Sequence, residues 1–437
     1  MTNTPATPAE PSKPASSAAS ARNYLIVTAS YWGFTLTDGA LRMLVLFYFF
    51  KLGYSPFTIA FLFLLYEAAG IASNLVGGWL ASRYGIPRML AVGQTLQIAG
   101  LVMLSMLDPA WAAAMSVTWV VASQGLAGVA KDLTKTASKS AIKATSVEGA
   151  GQLFKWVAFF TGSKNAMKGI GFFLGGLLLE TIGFKPALWL LAGLIAVILV
   201  AGLISLPREL GKAKSSKTVK ELFGKSRAVN LLAAARIFLF GARDVWFVVG
   251  LPVFLYANGW KFIEVGAFLA AWTIGYGIVQ AVAPSFVARS QDGLSREVPG
   301  ARLWSFLLVL VPVSLAAILM IPDVPRPDLI VVAGLVLFGF LFAVNSSLHS
   351  YLILAYAGSE KAAEDVGFYY AANAGGRFLG ILLSGALYQA GGMTACLVGS
   401  AIMLALCWAI ALLLPSKSET IAPAGETPQP IASGSAP

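Results

Sequence analysis

Asp38 and Arg42 stand one helical turn apart in the stretch WGFTLTDGALRMLVLFYFF, where nearly every neighbour is apolar. Further along the chain Glu67, Lys164, Lys168, Arg236, Arg243, Asp244 and Arg377 are set in equally apolar runs. A charge at the centre of a bilayer costs at least about 2.5–3.5 kcal/mol, so residues of this kind are kept either for pairing or for function. The cations of the set are Arg42, Lys164, Lys168, Arg236, Arg243 and Arg377, while the acids are Asp38, Glu67 and Asp244. Pairing, for example Asp38 holding Arg42, accounts for some of these cations and leaves others over. A surplus of sequestered guanidinium and ammonium groups suits the binding of a multiply charged anion, which arginine grips through two parallel hydrogen bonds.

Spacing refines this picture. Arg42 and Arg243 fall at similar depth in their runs and would present two planar forks to one phosphate-like group. Arg236 precedes Arg243 by two turns on the same helix face. It either receives the anion first or snorkels to the membrane surface. Lys164 and Lys168 in TGSKNAMKGIGFFLGG stack one turn apart beside Asn165, an arrangement that repels itself unless an anion or acid lies close. Asn373 and Arg377 in YYAANAGGRFLG repeat the one-turn spacing. Asp38, Asp244, Glu67 and His349 are candidates for coupling or gating, with Glu67 and His349 as proton carriers, although a lone histidine is more often a satisfied polar residue. Trp246, Trp272, Tyr276, Tyr369 and Tyr370 either line the same space or pack, and packing is the simpler reading. Lysines 131, 135, 139 and 143 form a stripe that reads as a solvated helix end or as a funnel for anions.

The elements that carry these residues are membrane helices. The chain is 57% hydrophobic and 12% charged over 437 residues, against about 25% charged in soluble domains. Apolar runs long enough to cross the hydrocarbon core must be helical, because lipid offers no partner to backbone polar groups. Twelve are expected, at 24–50, 56–82, 88–107, 111–130, 152–181, 187–206, 229–257, 262–286, 302–321, 328–350, 366–389 and 393–414. Residues 1–22 and 415–437 read as disordered tails rich in Ala, Pro, Ser and Thr. The first apolar run is too long for a secretory signal and serves as an uncleaved anchor. Cys396 and Cys407 share one helix about 16 Å apart, too far to bridge. Of the loop-borne cations, only Lys51, Lys185, Lys261 and Arg326 fall on the face away from the termini. The positive-inside rule therefore places both termini in the cytoplasm. The net charge of +11 belongs to these short loops and gives no sign of a nucleic-acid partner.

The basic stretch 207–228 divides the spans into two sets of six, 23–206 and 229–414. A shift of 206 residues lays Asp38 on Asp244, Gly53 on Gly259 and Arg83 on Arg289; a shift of 208 lays Asn165 on Asn373 and Gly183 on Gly391. Two related bundles imply a secondary transporter with its site between the halves. The loop GGWLASRYGIPRM resembles the signature of the major facilitator superfamily at Gly78, Leu80, Arg83, Gly85 and Arg88. Ser82 stands where that signature carries Asp. The resemblance implies an all-α membrane protein of twelve transmembrane helices in two pseudo-symmetric six-helix bundles, usually a monomer, with Arg83 and Arg289 in gating loops. FGKS at 223–226 lacks the glycine of a phosphate loop, since Val219 occupies that place. One histidine excludes an H-E-x-x-H metal site, and no G-x-S-x-G elbow is present. No cofactor and no enzymatic activity are expected.

Four stretches, NYLIVTASYWGFTLTDGALRMLVL, AKDLTKTASKSAIK, FTGSKNAMKGIGFFLGG and FLFGARDVWFVVGLPVFL, resemble the organoarsenical efflux permeases of bacterial arsenic-resistance operons, the ArsJ type. The resemblance implies an inner-membrane exporter of 1-arseno-3-phosphoglycerate, working with a glyceraldehyde-3-phosphate dehydrogenase that makes this compound from arsenate. Such a cargo has two oxyanion heads, which suit two separated cationic groups: Arg42 with Arg243, and Lys164, Lys168 and Arg377. Two distant thiols ill equip the chain for trivalent arsenic, which favours paired thiolates. An importer exchanging a phosphorylated metabolite for phosphate would use the same arginines, and a receptor that carries no flux remains a third reading. A cationic-drug exporter would need surplus acids instead.

Overall fold

The computed structural model describes residues 17–145, 150–207, 225–287, 290, 294–357 and 362–416. The expected linker therefore lies almost wholly outside the described residues, as do Arg289 and most of both tails. Every long element among the described residues is an α-helix. The first half comprises α1 (Ser17–Lys51), α2 (Pro56–Leu62), α3 (Leu64–Tyr84), α4 (Ile86–Ser105), α5 (Ala113–Thr145), α6 (Ala150–Thr181) and α7 (Phe184–Ser205). The second comprises α8 (Arg227–Phe247), α9 (Gly250–Ala257), α10 (Phe262–Val282), α11 (Glu297–Leu319), α12 (Pro327–Tyr356) and α13 (Ala362–Leu412). The first helix begins at Ser17, so the tail expected at 1–22 is shorter than its composition suggests; alanines at 18, 19 and 21 extend the helix.

The helices resolve into twelve crossings. Ten stretches among the described residues are long and apolar enough to span a bilayer. One of them, Asp365–Leu412, is 48 residues long and folds back on itself at Gly391 and Gly392, where φ/ψ are −158/26° and 61/−152°. The positive φ of Gly392 is open to glycine at no steric cost. The remaining crossing is α6, 32 residues long. Two crossings are broken. α2 gives way to α3 at Phe63. α8 gives way to α9 at Val248 and Val249, because Pro252 has no N–H to return to the carbonyl of Val248. The N–H groups freed by the second break, those of Val249 and Gly250, donate to Oγ of Ser384 at 3.2 and 3.1 Å.

Helix α1 packs on α6, and α8 packs on the first arm of α13, at corresponding positions in the two halves. Both crossings are built alike. A Cβ at Gly171 or Gly175 would lie 2.3 or 2.5 Å from the carbonyl of Leu36 or Ala40. One at Gly376 or Gly380 would lie 2.3 or 2.6 Å from that of Ile237 or Gly241. Glycines four apart thus let backbones touch in both halves. The repeat is also visible in the turns, with positive φ at Gly53 and Gly259 and at Gly183 and Gly392. The last pair corrects the expected match of Gly183 with Gly391 by one residue. The halves meet through α6 against α10, and through α13 against α2 and α3. On the side away from the termini they are sealed by Phe47 stacked on Phe262 at 4.6 Å and by Phe50 against Tyr256 at 5.6 Å. There Glu180 also accepts a hydrogen bond from the N–H of Ile263 at 3.2 Å.

Candidate functional site

The break at Phe63 has a chemical consequence. It places Glu67 in the first turn of α3, where free N–H groups and the helix dipole favour a carboxylate. Glu67 is 1% exposed. It accepts a hydrogen bond from Arg42 at 2.9 Å and lies 3.7 Å from Nζ of Lys131. The guanidinium of Arg42 also rests 5.2 and 5.1 Å from the ring centres of Phe63 and Tyr66. The hydroxyl of Tyr66 reaches both oxygens of Asp38, at 2.6 and 2.8 Å. This corrects the expected Asp38–Arg42 pair: the arginine is long enough to reach α3, and the short aspartate is occupied by the phenol.

The second half repeats the theme with different partners. Asp244 is fully buried and accepts from Arg243 through Nε at 2.7 Å and Nη2 at 2.5 Å. Its other oxygen takes Nε of Arg377 at 3.3 Å. Nη2 of Arg377 then crosses to Glu67 at 2.6 Å. A continuous run of charge results, from Arg42 and Lys131 through Glu67 to Arg377, and on through Asp244 to Arg243. Four cations share two carboxylates, and one of those cations joins the two halves.

The other expected site residues sort around this run. Lys168 lies over Phe172 at 5.5 Å, within electrostatic reach of Arg377, Arg42, Arg243 and Asp38. Lys164 and Asn165 are half-buried on the same helix, and Asn165 donates to Gln280 of α10 at 3.5 Å. Asn373 takes a different kind of partner from Asn165, accepting from Nε of Arg236 at 2.9 Å. Arg236 is 4% exposed and does not snorkel. His349 is buried. Arg83 is exposed at the end of α3, 5.9 Å from the ring of Tyr84, away from the central run. Trp246 and Trp272 pack edge-on at 5.5 Å within the core, and both cysteines are buried among apolar neighbours, as the simpler readings have it. Lys131 and Tyr66 are the members that sequence reasoning missed. Lys131 opens the lysine stripe directly after the long apolar run of α5, a signal that it is the deepest of the four; the side chains of Lys139 and Lys143 lie outside the described residues.

The sequence profile of the Major Facilitator Superfamily matches residues 24–380. The chain belongs to the Major Facilitator Superfamily. Among solved members of this transporter fold, a POT family transporter bound to a thioalcohol-conjugated peptide is 14% identical, with a TM-score of 0.71 over 90% of this chain and 95% of that one. The nucleoside transporter NupG is 15% identical, with a TM-score of 0.67 over 90% and 98%. A peptide transporter POT in complex with sulfate is 14% identical, with a TM-score of 0.67 over 90% and 93%. At these identities the likeness speaks for the fold. No curated protein matches by sequence. The protein is thus a multi-pass membrane transporter of the superfamily, and the charged run from Arg42 to Arg243 lies where the two halves of the fold meet.

Proposed function

We propose that this transporter exports an organic arsenate ester, 1-arseno-3-phosphoglycerate, from the bacterial cytoplasm across the inner membrane. It would confer arsenate resistance together with the glyceraldehyde-3-phosphate dehydrogenase that makes the ester. The observation that carries the reading is the imbalance of the central run, in which Arg42, Lys131, Arg377 and Arg243 share Glu67 and Asp244. Lys168 adds a further amine beside it. A phosphate monoester carries about −1.5 to −2 near neutral pH, and the arsenate head adds more. The cargo's oxyanions compete with Glu67 for Arg42 and Arg377, and with Asp244 for Arg377 and Arg243. Exchange at Arg377 releases an ionic tie between the halves, which then rock about the site. Both termini sit in the cytoplasm, the protein works as a monomer, and it catalyses no reaction.

An organic-phosphate/phosphate antiporter that imports a metabolite is supported by the same paired arginines. Everted vesicles separate the two. The export reading expects uptake of the arsenate-derived product only when active dehydrogenase is supplied, and loss of cellular arsenate resistance in Arg243→Gln with the protein still in the membrane. Full resistance in Arg243→Gln, or uptake of phosphorylated metabolites alone, would sink it.

A further inference from the structure

Arg236 is sequestered between α8, α12 and α13 with only neutral company. Its Nε donates to Asn373 at 2.9 Å, and its Nη1 donates to the carbonyl and hydroxyl of Ser346, both at 3.1 Å. The guanidinium lies 4.0 Å from the ring centre of Phe240 and 4.9 Å from that of Tyr369. Among the described residues no carboxylate pairs with it. A cation taken out of water without a counter-charge is costly. Further donors surround it. Both ring nitrogens of His349 are buried with no hydrogen-bond partner, and the hydroxyl of Tyr369 is buried beside Ser350. One imidazole nitrogen bears a proton in either neutral form. His349 follows Ser346 by three residues on α12, so its ring shares the face that Ser346 presents to Arg236.

We infer that Arg236, His349 and Tyr369, with Ser346 and Asn373 holding the guanidinium, form a second anion subsite for a single oxyanion head of the phosphate class. An oxyanion there neutralises Arg236 and accepts from the phenol and the imidazole at once; water would satisfy the donors and leave the charge. Phe240 stands between this subsite and Arg243, 4.0 Å from one guanidinium and 4.9 Å from the other. The two subsites are therefore neighbours along α8, set apart as the two heads of one short cargo require. The assignment rests on the reading that the cargo is anionic, though not on its being an arsenical.

The test is titration calorimetry of inorganic phosphate into the purified full-length protein, in gluconate and again in chloride. The wild type should bind phosphate in both salts. Tyr369→Phe removes one hydroxyl and His349→Phe removes both ring nitrogens; each should weaken binding at least about tenfold with the fold retained. Unchanged phosphate affinity in both variants overturns the subsite, as does binding of chloride in place of phosphate. Phosphate binding that needs Tyr369 and His349, in a protein that carries no arsenate product, would uphold the subsite and remove the arsenical cargo.

Discussion

At the scale of single residues, Glu67 holds more than any other group in the site, being shared by Arg42, Lys131 and Arg377. Removing its charge leaves three cations short of a partner, and breaking a buried pair costs about 3–5 kcal/mol. Glu67→Gln should therefore lower the thermal unfolding midpoint in detergent, with part of the loss restored by phosphate. A midpoint equal to wild type would show that the network stores no such energy. Tyr66→Phe is a gentler probe. It strips Asp38 of the hydroxyl that bonds both its oxygens and should cost about 1–3 kcal/mol, readable in the same melt. The charged types of the site were legible in the sequence because lipid makes each of them expensive. Their pairing was not, since Arg42 has one acid a turn away on its own helix and another opposite on α3. The reach of the side chain decides between them.

At the scale of elements, the helices act as positioning devices through their defects. The break at Phe63 sets Glu67 at a helix start, and the break at Val248 and Val249 is healed by Ser384. Glycine crossings fix how closely α1 meets α6. A side chain at Gly171 would collide with the carbonyl of Leu36 at 2.3 Å, whereas one at Gly275 meets nothing within 4 Å. Gly171→Leu should abolish the folded protein in the membrane, and Gly275→Ala should leave it unchanged or raise its stability by up to about 1 kcal/mol. Size-exclusion recovery and unfolding midpoints distinguish the two, and equal behaviour of both variants would contradict the crossing geometry. Spans and several helix ends could be read from apolar runs, Gly and Pro. The break at Phe63 carries no proline or glycine and left no trace in the pattern.

At the scale of the whole molecule, Arg377 is bonded to Glu67 in one half and to Asp244 in the other, while aromatic contacts seal the side away from the termini. Lysine keeps the charge but lacks the fork that spans two carboxylates. Arg377→Lys should reach the membrane normally yet transport at least about tenfold more slowly, as vesicle flux would measure. Flux at the wild-type rate would show that the tie is incidental to turnover.

The chain's apolar runs determined a twelve-span helical protein with surplus positive charge at depth, because a bilayer permits few backbone solutions and penalises every charge placed in it, and residues repeated at shifts of 206 and 208 marked its two related halves. Tertiary structure decided which charges meet. It drew Lys131 into the site from what reads as a solvated stripe, gave Arg42 to Glu67 rather than Asp38, and set Arg236 apart among neutral donors. Those choices depend on how α3, α8, α12 and α13 lie against one another, a matter of contacts between residues far apart in the chain, on which local spacing is silent.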